Sequence, residues 1–287
     1  AAMTAGLPAP EARYQLTAGG DRTSVTEAGV TTPYVHDSAH RYTSVGGATL
    51  LYDANGNLAS DGDQRYSYDH ANRLVAVADT SGASLLTVSY DPLGRIREIA
   101  DGAGTVRRRH VGLETIEETC GASVRSYCSA FGVDQALAIA EGGAVRHLHR
   151  DQTWSVLAVS NTAGTMVERY DWDLNGQLVA VLDDGFALHP TTTPLAPYFQ
   201  GRPPLLDGLV DFRQRVLHVP FGRFMQRDPA GLQSDFHPYR FACNDSTLYV
   251  DPTGQFLFIP ILIGMAVGAG ISAYMNRDKS GADFWVA

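Results

Sequence analysis

Lysine is nearly missing from this chain: of its 22 basic residues, 21 are arginines and one is Lys279. Charge of any kind is scarce, at 18 % of 287 residues, and the acidic groups outnumber the basic ones to leave a net charge of −9. That balance does not supply the phosphate neutralisation that wrapping nucleic acid demands, so no nucleic-acid partner is expected. Low charge beside 44 % hydrophobic residues excludes an intrinsically disordered chain. The three cysteines, Cys120, Cys128 and Cys243, cannot all pair within one chain. Free thiols are expected, with a Cys120–Cys128 disulfide as the alternative. No CxxC and no Cys/His cluster with zinc spacing occurs, so neither a metal nor a cofactor is expected. No basic-then-apolar leader opens the sequence, and both ends look cut from something longer.

Glycine and proline are plentiful, 29 and 14 residues respectively. That density interrupts the chain too often for long helices and favours many short strands joined by turns. A chain of this length buries a substantial core without covalent staples. Residues 1–43 read as an irregular, polar stretch. From residue 44 to 195 a rhythm runs: Tyr52-Asp53-x-x-Gly56, Tyr68-Asp69-x-x-Asn72, Tyr90-Asp91-x-x-Gly94 and Trp172-Asp173-x-x-Gly176. The aromatics lie 16, 22 and 82 residues apart, a repeat of irregular length. Each copy predicts a strand end, a turn and a strand start. The aspartate caps the turn, glycine or asparagine supplies a left-handed residue, and Asn55-Gly56 suggests a type I′ hairpin. One hairpin cannot bury its apolar face alone, so stacked copies predict one continuous sheet. The only plausible helix before the tail is 133–140, which reads equally well as a strand.

A second series follows from 196 to 255: Arg213-x-Arg215, then Gly222-Arg223-Phe224, then Arg227-Asp228-Pro229-x-Gly231, then Tyr239-x-Phe241-x-x-Asn244, then Asp251-Pro252-Thr253-Gly254. Together the two series resemble the RHS/YD-repeat family, which includes the C components of insecticidal Tc toxins and, more distantly, teneurins. The resemblance covers roughly 50–254, and the second series resembles the RHS-associated core. It departs from the family pattern at Val216-Leu217, where paired tyrosines are usual. It departs again at Trp154, where a glycine is usual, and at Gln255, where a large apolar residue is usual.

The resemblance implies an all-β fold: a spiral shell of YD-repeat hairpins with a core plug, enclosing a C-terminal polypeptide that is often a toxin. It also implies self-cleavage at Gln255–Phe256, with Asp228 and Asp251 as the acid pair and Arg227 as their basic neighbour. Peptide hydrolysis by such a pair needs one carboxylate to activate water and one protonated carboxyl to serve the leaving nitrogen. Asp228 and Asp251 are 23 residues apart, so only tertiary structure can unite them. Read without the family, Asp-Pro-x-Gly is an ordinary turn.

Other patterns carry less. Asp171-x-Asp173-x-Asn175-Gly176 copies the start of an EF-hand loop, but the twelfth position is Leu182 rather than glutamate. His147-x-His149 has no third ligand in sight, and Arg107-Arg108-Arg109 reads as a solvated strand end. The tail, 256–287, opens with twenty residues without formal charge (256–275), long enough to span a membrane as a helix. The competing readings are a segment sheltered inside the shell and an apolar linker into a further domain. The expected protein is thus the C-terminal part of a secreted or cell-surface bacterial toxin shell. Its own C-terminal polypeptide is the cargo, and a secretion component or an immunity protein is a further partner. The alternative is a non-enzymatic adhesive or structural β-repeat protein.

Overall fold

The computed structural model describes residues 12–130, 133–189, 195–196, 198–231 and 236–255. These residues form three antiparallel sheets and contain no α-helix. The first sheet has five strands, from Arg13–Leu16 to Ala48–Thr49. The second is a meander of fourteen strands in strict chain order, from Leu51–Tyr52 to Leu178–Leu182. The third has four short strands, Pro204–Leu206, Leu209–Asp211, Val216–His218 and Arg223–Phe224. The stretch expected to be irregular, 1–43, therefore carries strands. Its loops use the same chemistry as the repeats without their sequence signature, because His40 stands at the left-handed position of Asp37–Arg41. Residues 133–140 resolve as strand, in Ala136–Glu141. No described helix is long and apolar enough to cross a membrane, and the tail lies outside the described residues.

One loop recurs throughout. Asp53 Oδ1 accepts the backbone N–H groups of Asn55 and Asn57 at 2.9 and 2.8 Å, and Gly56 N–H returns to the Asp53 carbonyl. The same pair of bonds is made by Asp37, Asp69, Asp91, Asp151 and Asp173, and by Asn161. Only the fourth residue is left-handed, Gly56 at φ 87° and Asn72 at φ 60°. The expected type I′ turn, which needs two positive φ angles, is thus replaced by a type I turn closed with a G1-type bulge. The carboxylate holds the two central residues in right-handed geometry by taking their onward N–H groups. Trp154 fills the position of the missing glycine at φ 71° without changing the loop.

The repeats are stitched by the aromatic residue. Tyr68 donates its hydroxyl to the Leu58 carbonyl, Tyr90 to that of Leu74, and the Trp172 indole N–H to that of Val156. His110 makes the equivalent bond to Ile96, a degenerate repeat that the sequence pattern missed. Where the fifth loop residue is arginine it ion-pairs with the leading aspartate and can lie over an aromatic of the next repeat. Arg73 bonds Asp69 at 2.6 Å and sits 4.5 Å over Tyr90. Near the start of each strand that follows such a loop, one residue is unopposed: Thr43, Ala59, Val75, Arg97, Leu157, Val167 and Val179. Bulges at this regular place bend and twist the meander. The Arg107–Arg109 run lies in a strand whose neighbours supply Glu98, Glu118 and Glu117 as cross-strand partners.

The third sheet packs against the other two. Leu205, Leu209, Val216 and Met225 share one core with Val25, Tyr42, Leu74 and Leu86. Phe212, Leu217 and Phe224 form a second core with Phe199 and Phe241. Two polar joints fix this arrangement. Arg202 lies between Asp134 (2.9 Å) and Asp211 (2.8 Å), all three nearly excluded from solvent, while Arg213 grips both oxygens of Asp134. In the second joint, Asp21 of the first sheet accepts from His237 (2.9 Å), Arg223 (3.0 Å) and His40 (2.8 Å). Burial opposes ionisation of Asp21, but the bonds from His40, Arg223 and His237 hold its carboxyl well below the usual carboxylate range. Burial first, and then the Arg223 charge, push His237 down to about 4, against the Asp21 hydrogen bond.

Two outcomes are expected. Arg202→Met leaves the buried Asp211 carboxylate without its counter-charge and Asp134 with Arg213 alone, and should cost about 3 to 5 kcal/mol in denaturant unfolding. His237 releases, on folding, a proton that the unfolded chain holds from pH 6.5 down to about 4. The stability it confers is therefore complete above pH 6.5 and is lost as pH falls toward 4. His237→Gln should flatten the dependence of the melting temperature on pH across that window.

Candidate active site

The two aspartates singled out by sequence each begin a loop of the recurrent kind. Asp228 Oδ1 accepts the Ala230 N–H at 2.8 Å, and Gly231 N–H returns to the Asp228 carbonyl. Asp251 Oδ1 accepts the Gln255 N–H at 3.0 Å, and Gly254 N–H returns to the Asp251 carbonyl. The loops differ from the repeats in where their second oxygen points. Asp228 Oδ2 lies 3.0 Å and Asp251 Oδ2 3.3 Å from the same atom, Nη2 of Arg215. The structure thus brings the two carboxyls together on one guanidinium, at 9 % and 2 % exposure.

Arg215 is held on every side. Its Nε donates to the Gly254 carbonyl, its Nη1 to the Pro238 carbonyl at 3.3 Å, and its Cζ lies 3.8 Å over the Phe224 ring. Arg213 donates to the Pro252 carbonyl, and Gln214 N–H to that of Thr253 at 3.4 Å. The Arg213-x-Arg215 segment therefore grips the loop that leads to the expected junction. Gly254 cannot be replaced: at φ 73°, a Cβ there would sit 2.4 Å from the Phe212 carbonyl oxygen. Gln255 is half-buried beside the acid pair, and Phe256 lies outside the described residues.

Arg227, expected as the basic neighbour of the pair, is exposed. Its stem packs beside Gly56, where a Cβ would come within 2.8 Å of the Arg227 Cδ. Asp228 turns inward while the preceding residue turns outward, and Arg215 ion-pairs with both acids. Sequence placed Arg215 among structural positions, because two arginines spaced by one residue do not reveal which of them faces a carboxylate 13 or 36 residues away. The other core-motif residues support this region. Gly222 lets Arg22 and Asn175 approach, Tyr239 donates its hydroxyl to the Gly56 carbonyl, and Asn244 donates to the Gly20 carbonyl.

Chemically, two adjoining carboxyls can divide the roles of general base and general acid when they hold one proton between them. The guanidinium cancels one of the two negative charges, so a single added proton brings the trio to neutrality. Metal chemistry has one candidate grouping among the described residues, Asp21, His40 and His237, whose ligand atoms lie within 4.8 Å of one another. The donor set fits a cation poorly. Arg223 Nη2 lies 3.0 Å from Asp21 and 3.1 Å from His237 Nε2, and the Tyr239 N–H donates to His237 Nδ1. That last bond leaves the proton on Nε2, the nitrogen a metal would need. Asp171, Asp173 and Asn175, the EF-hand-like run, belong to a strand end and a repeat loop.

Comparison with known proteins points the same way as the loops. A family model described as the teneurin YD-shell matches residues 4–109. The chain is similar to the tRNA3(Ser)-specific nuclease WapA of Bacillus spizizenii, 25 % identical over 252 residues, which cover 82 % of this chain and 10 % of that protein. It is also similar to the double-stranded DNA deaminase toxin A of Burkholderia cenocepacia, 28 % identical over 244 residues, covering 71 % of this chain and 16 % of that one. Among solved structures, the crystal structure of TcdB2-TccC3-TEV has the same fold, with a TM-score of 0.52 and 14 % identity. That match covers 85 % of this chain and 17 % of the solved one. The structure of TcdB2-TccC3 without its hypervariable C-terminal region gives 0.51 at 13 % identity over the same shares. The chain spans a small part of each of these proteins. Repeats, loop chemistry, meander and likenesses agree in making the chain similar to RHS/YD-repeat proteins, with which it shares the YD-shell type of fold.

Proposed function

We propose that this chain is the closing part of a YD-repeat shell that encloses a toxin-type polypeptide and frees it by cutting the Gln255–Phe256 bond. The observation that carries the reading is the meeting of the Asp228 and Asp251 carboxyls on Arg215 beside the loop that ends at Gln255. Relatives that are themselves a nuclease and a deaminase toxin support the toxin cargo. Residues 196–255 then act as the core that holds the junction, and 256–287 begin the enclosed polypeptide. A secreted or cell-surface setting follows, with a secretion component and an immunity protein as partners of the whole protein.

In the proposed step, the ionised carboxyl of the pair takes a proton from a water whose oxygen bonds to the Gln255 carbonyl carbon. The protonated carboxyl gives its proton to the Phe256 nitrogen as the C–N bond breaks. The products are a Gln255 carboxylate and a Phe256 amine. Arg215 stabilises the charge that passes between the two acids and keeps the loop carbonyls in place.

One observation favours a second, non-enzymatic reading: each acid also caps its own loop, as the repeat aspartates do. Intact-mass measurement separates the two. The folded 287-residue chain should divide between Gln255 and Phe256, whereas Asp228→Asn, which retains a side-chain oxygen for the loop, should stay whole. Arg227→Ala should cut like the parent chain. An uncut parent chain would favour the structural reading and end the autoproteolytic one.

A further inference from the structure

A cavity of about 630 Å³ opens between the Asp151–Ser155 and Asp173–Gln177 loops and the segment at Ser246. Its wall carries three carboxylates, Asp151, Asp171 and Asp173, and the aromatic rings of Tyr14, Trp172 and Phe199. Among the described residues, no basic one lines it. The neighbouring repeats show what such a wall normally holds. In the Asp37, Asp69 and Asp91 loops the fifth residue is an arginine that pairs with the leading aspartate at 2.6 to 2.7 Å. Arg41 and Arg73 also lie over the rings of Tyr52 and Tyr90, at 5.4 and 4.5 Å. In the two cavity loops the fifth residues are Ser155 and Gln177, which give their leading aspartates a backbone N–H and no charge. Carboxylate and aromatic are therefore both present, and the guanidinium between them is not supplied by the loop.

The local electrostatics agree. Burial pushes the Asp173 carboxyl up, against hydrogen bonds from Gln177, Asn175 and Gly176 that do not fully offset it. Among the described residues, Arg22 lies across the Tyr14 ring at 4.7 Å, but its Nη2 is taken by Asn175 Oδ1 and it does not line the cavity.

We propose that this cavity receives an arginine side chain from a partner polypeptide, held between the loop carboxylates and the Trp172 and Tyr14 rings. Charge complementarity fixes the sign of the occupant. The planar aromatic walls and paired carboxylate oxygens favour a guanidinium over an ammonium, because only the former both stacks and forks. A volume of this order admits the side chain together with the peptide backbone on either side.

The test uses N-acetyl-arginine-amide as probe, with N-acetyl-citrulline-amide as its uncharged isostere, read from the Trp172 indole N–H resonance of the 287-residue chain. The arginine probe should give a saturable shift that weakens with added salt, and the citrulline probe should not. Asp151→Asn/Asp173→Asn should weaken binding by about tenfold or more. Asparagine keeps the loop intact, since Asn161 caps the equivalent loop with the same two bonds. If the double variant unfolds, Asp171→Asn, at an exposed position on the rim, should still weaken binding several-fold. Equal binding of the two probes, no saturation at millimolar concentrations, or unchanged affinity in folded variants would overturn the proposal. The outcome is independent of whether the chain cuts itself.

Discussion

One carboxylate oxygen accepting two backbone N–H groups, two and four residues onward, is the interaction on which this molecule is built. It closes each hairpin loop without needing a second left-handed residue, so it tolerates glycine, asparagine, histidine or even tryptophan at the fourth position. The cost of a left-handed side chain is of order 1 kcal/mol, comparable with what the cap supplies, which is why the motif survives such substitutions. The loop also fixes the register, and with it the unopposed residue that follows in the next strand. Curvature of the meander is thus a local consequence of loop chemistry repeated along the chain.

The second oxygen of the same carboxylate is what differentiates the repeats. Pointed at an arginine four residues on, it links a loop to the aromatic of the next repeat and makes a strap. Left without such an arginine, at Asp151 and Asp173, it helps line a cavity. Turned inward, at Asp228 and Asp251, it meets Arg215 and forms a buried acid pair. A single loop type therefore serves as strut, cavity wall and candidate catalytic element, according to which cation its second oxygen can reach.

Buried charge is concentrated where the third sheet joins the others. Arg202 with Asp134 and Asp211, Arg223 with Asp21, and Arg215 with its two aspartates are each nearly excluded from water. Such groups add little net stability over apolar packing, but their removal one at a time is expensive, so they specify how the sheets dock. Gripping by Arg213 and Arg215 of successive carbonyls between Pro252 and Gly254 places the end of the core in one conformation beside the acid pair.

The amino-acid sequence by itself determined the class of fold, the loops and the strand-rich meander. Each rests on hydrogen bonds closed within five residues, and Tyr-Asp-x-x-Gly writes these bonds out in order. The same locality explains the misses. The loop at Thr17–Asp21 lacks the leading aromatic and aspartate and that at Asp37–Arg41 lacks the glycine, so neither carries the signature, and His110 stands in the aromatic position with an imidazole that bonds the equivalent carbonyl. Only tertiary structure decided which arginine faces the acids. Arg227 adjoins Asp228 along the backbone yet turns to the surface against Gly56, while Arg215 arrives from another strand end with Phe224 beneath it. Contacts between side chains 13 to 36 residues apart depend on how three sheets dock, and that docking is set by shape and buried charge summed over the whole core rather than by any local run of residues.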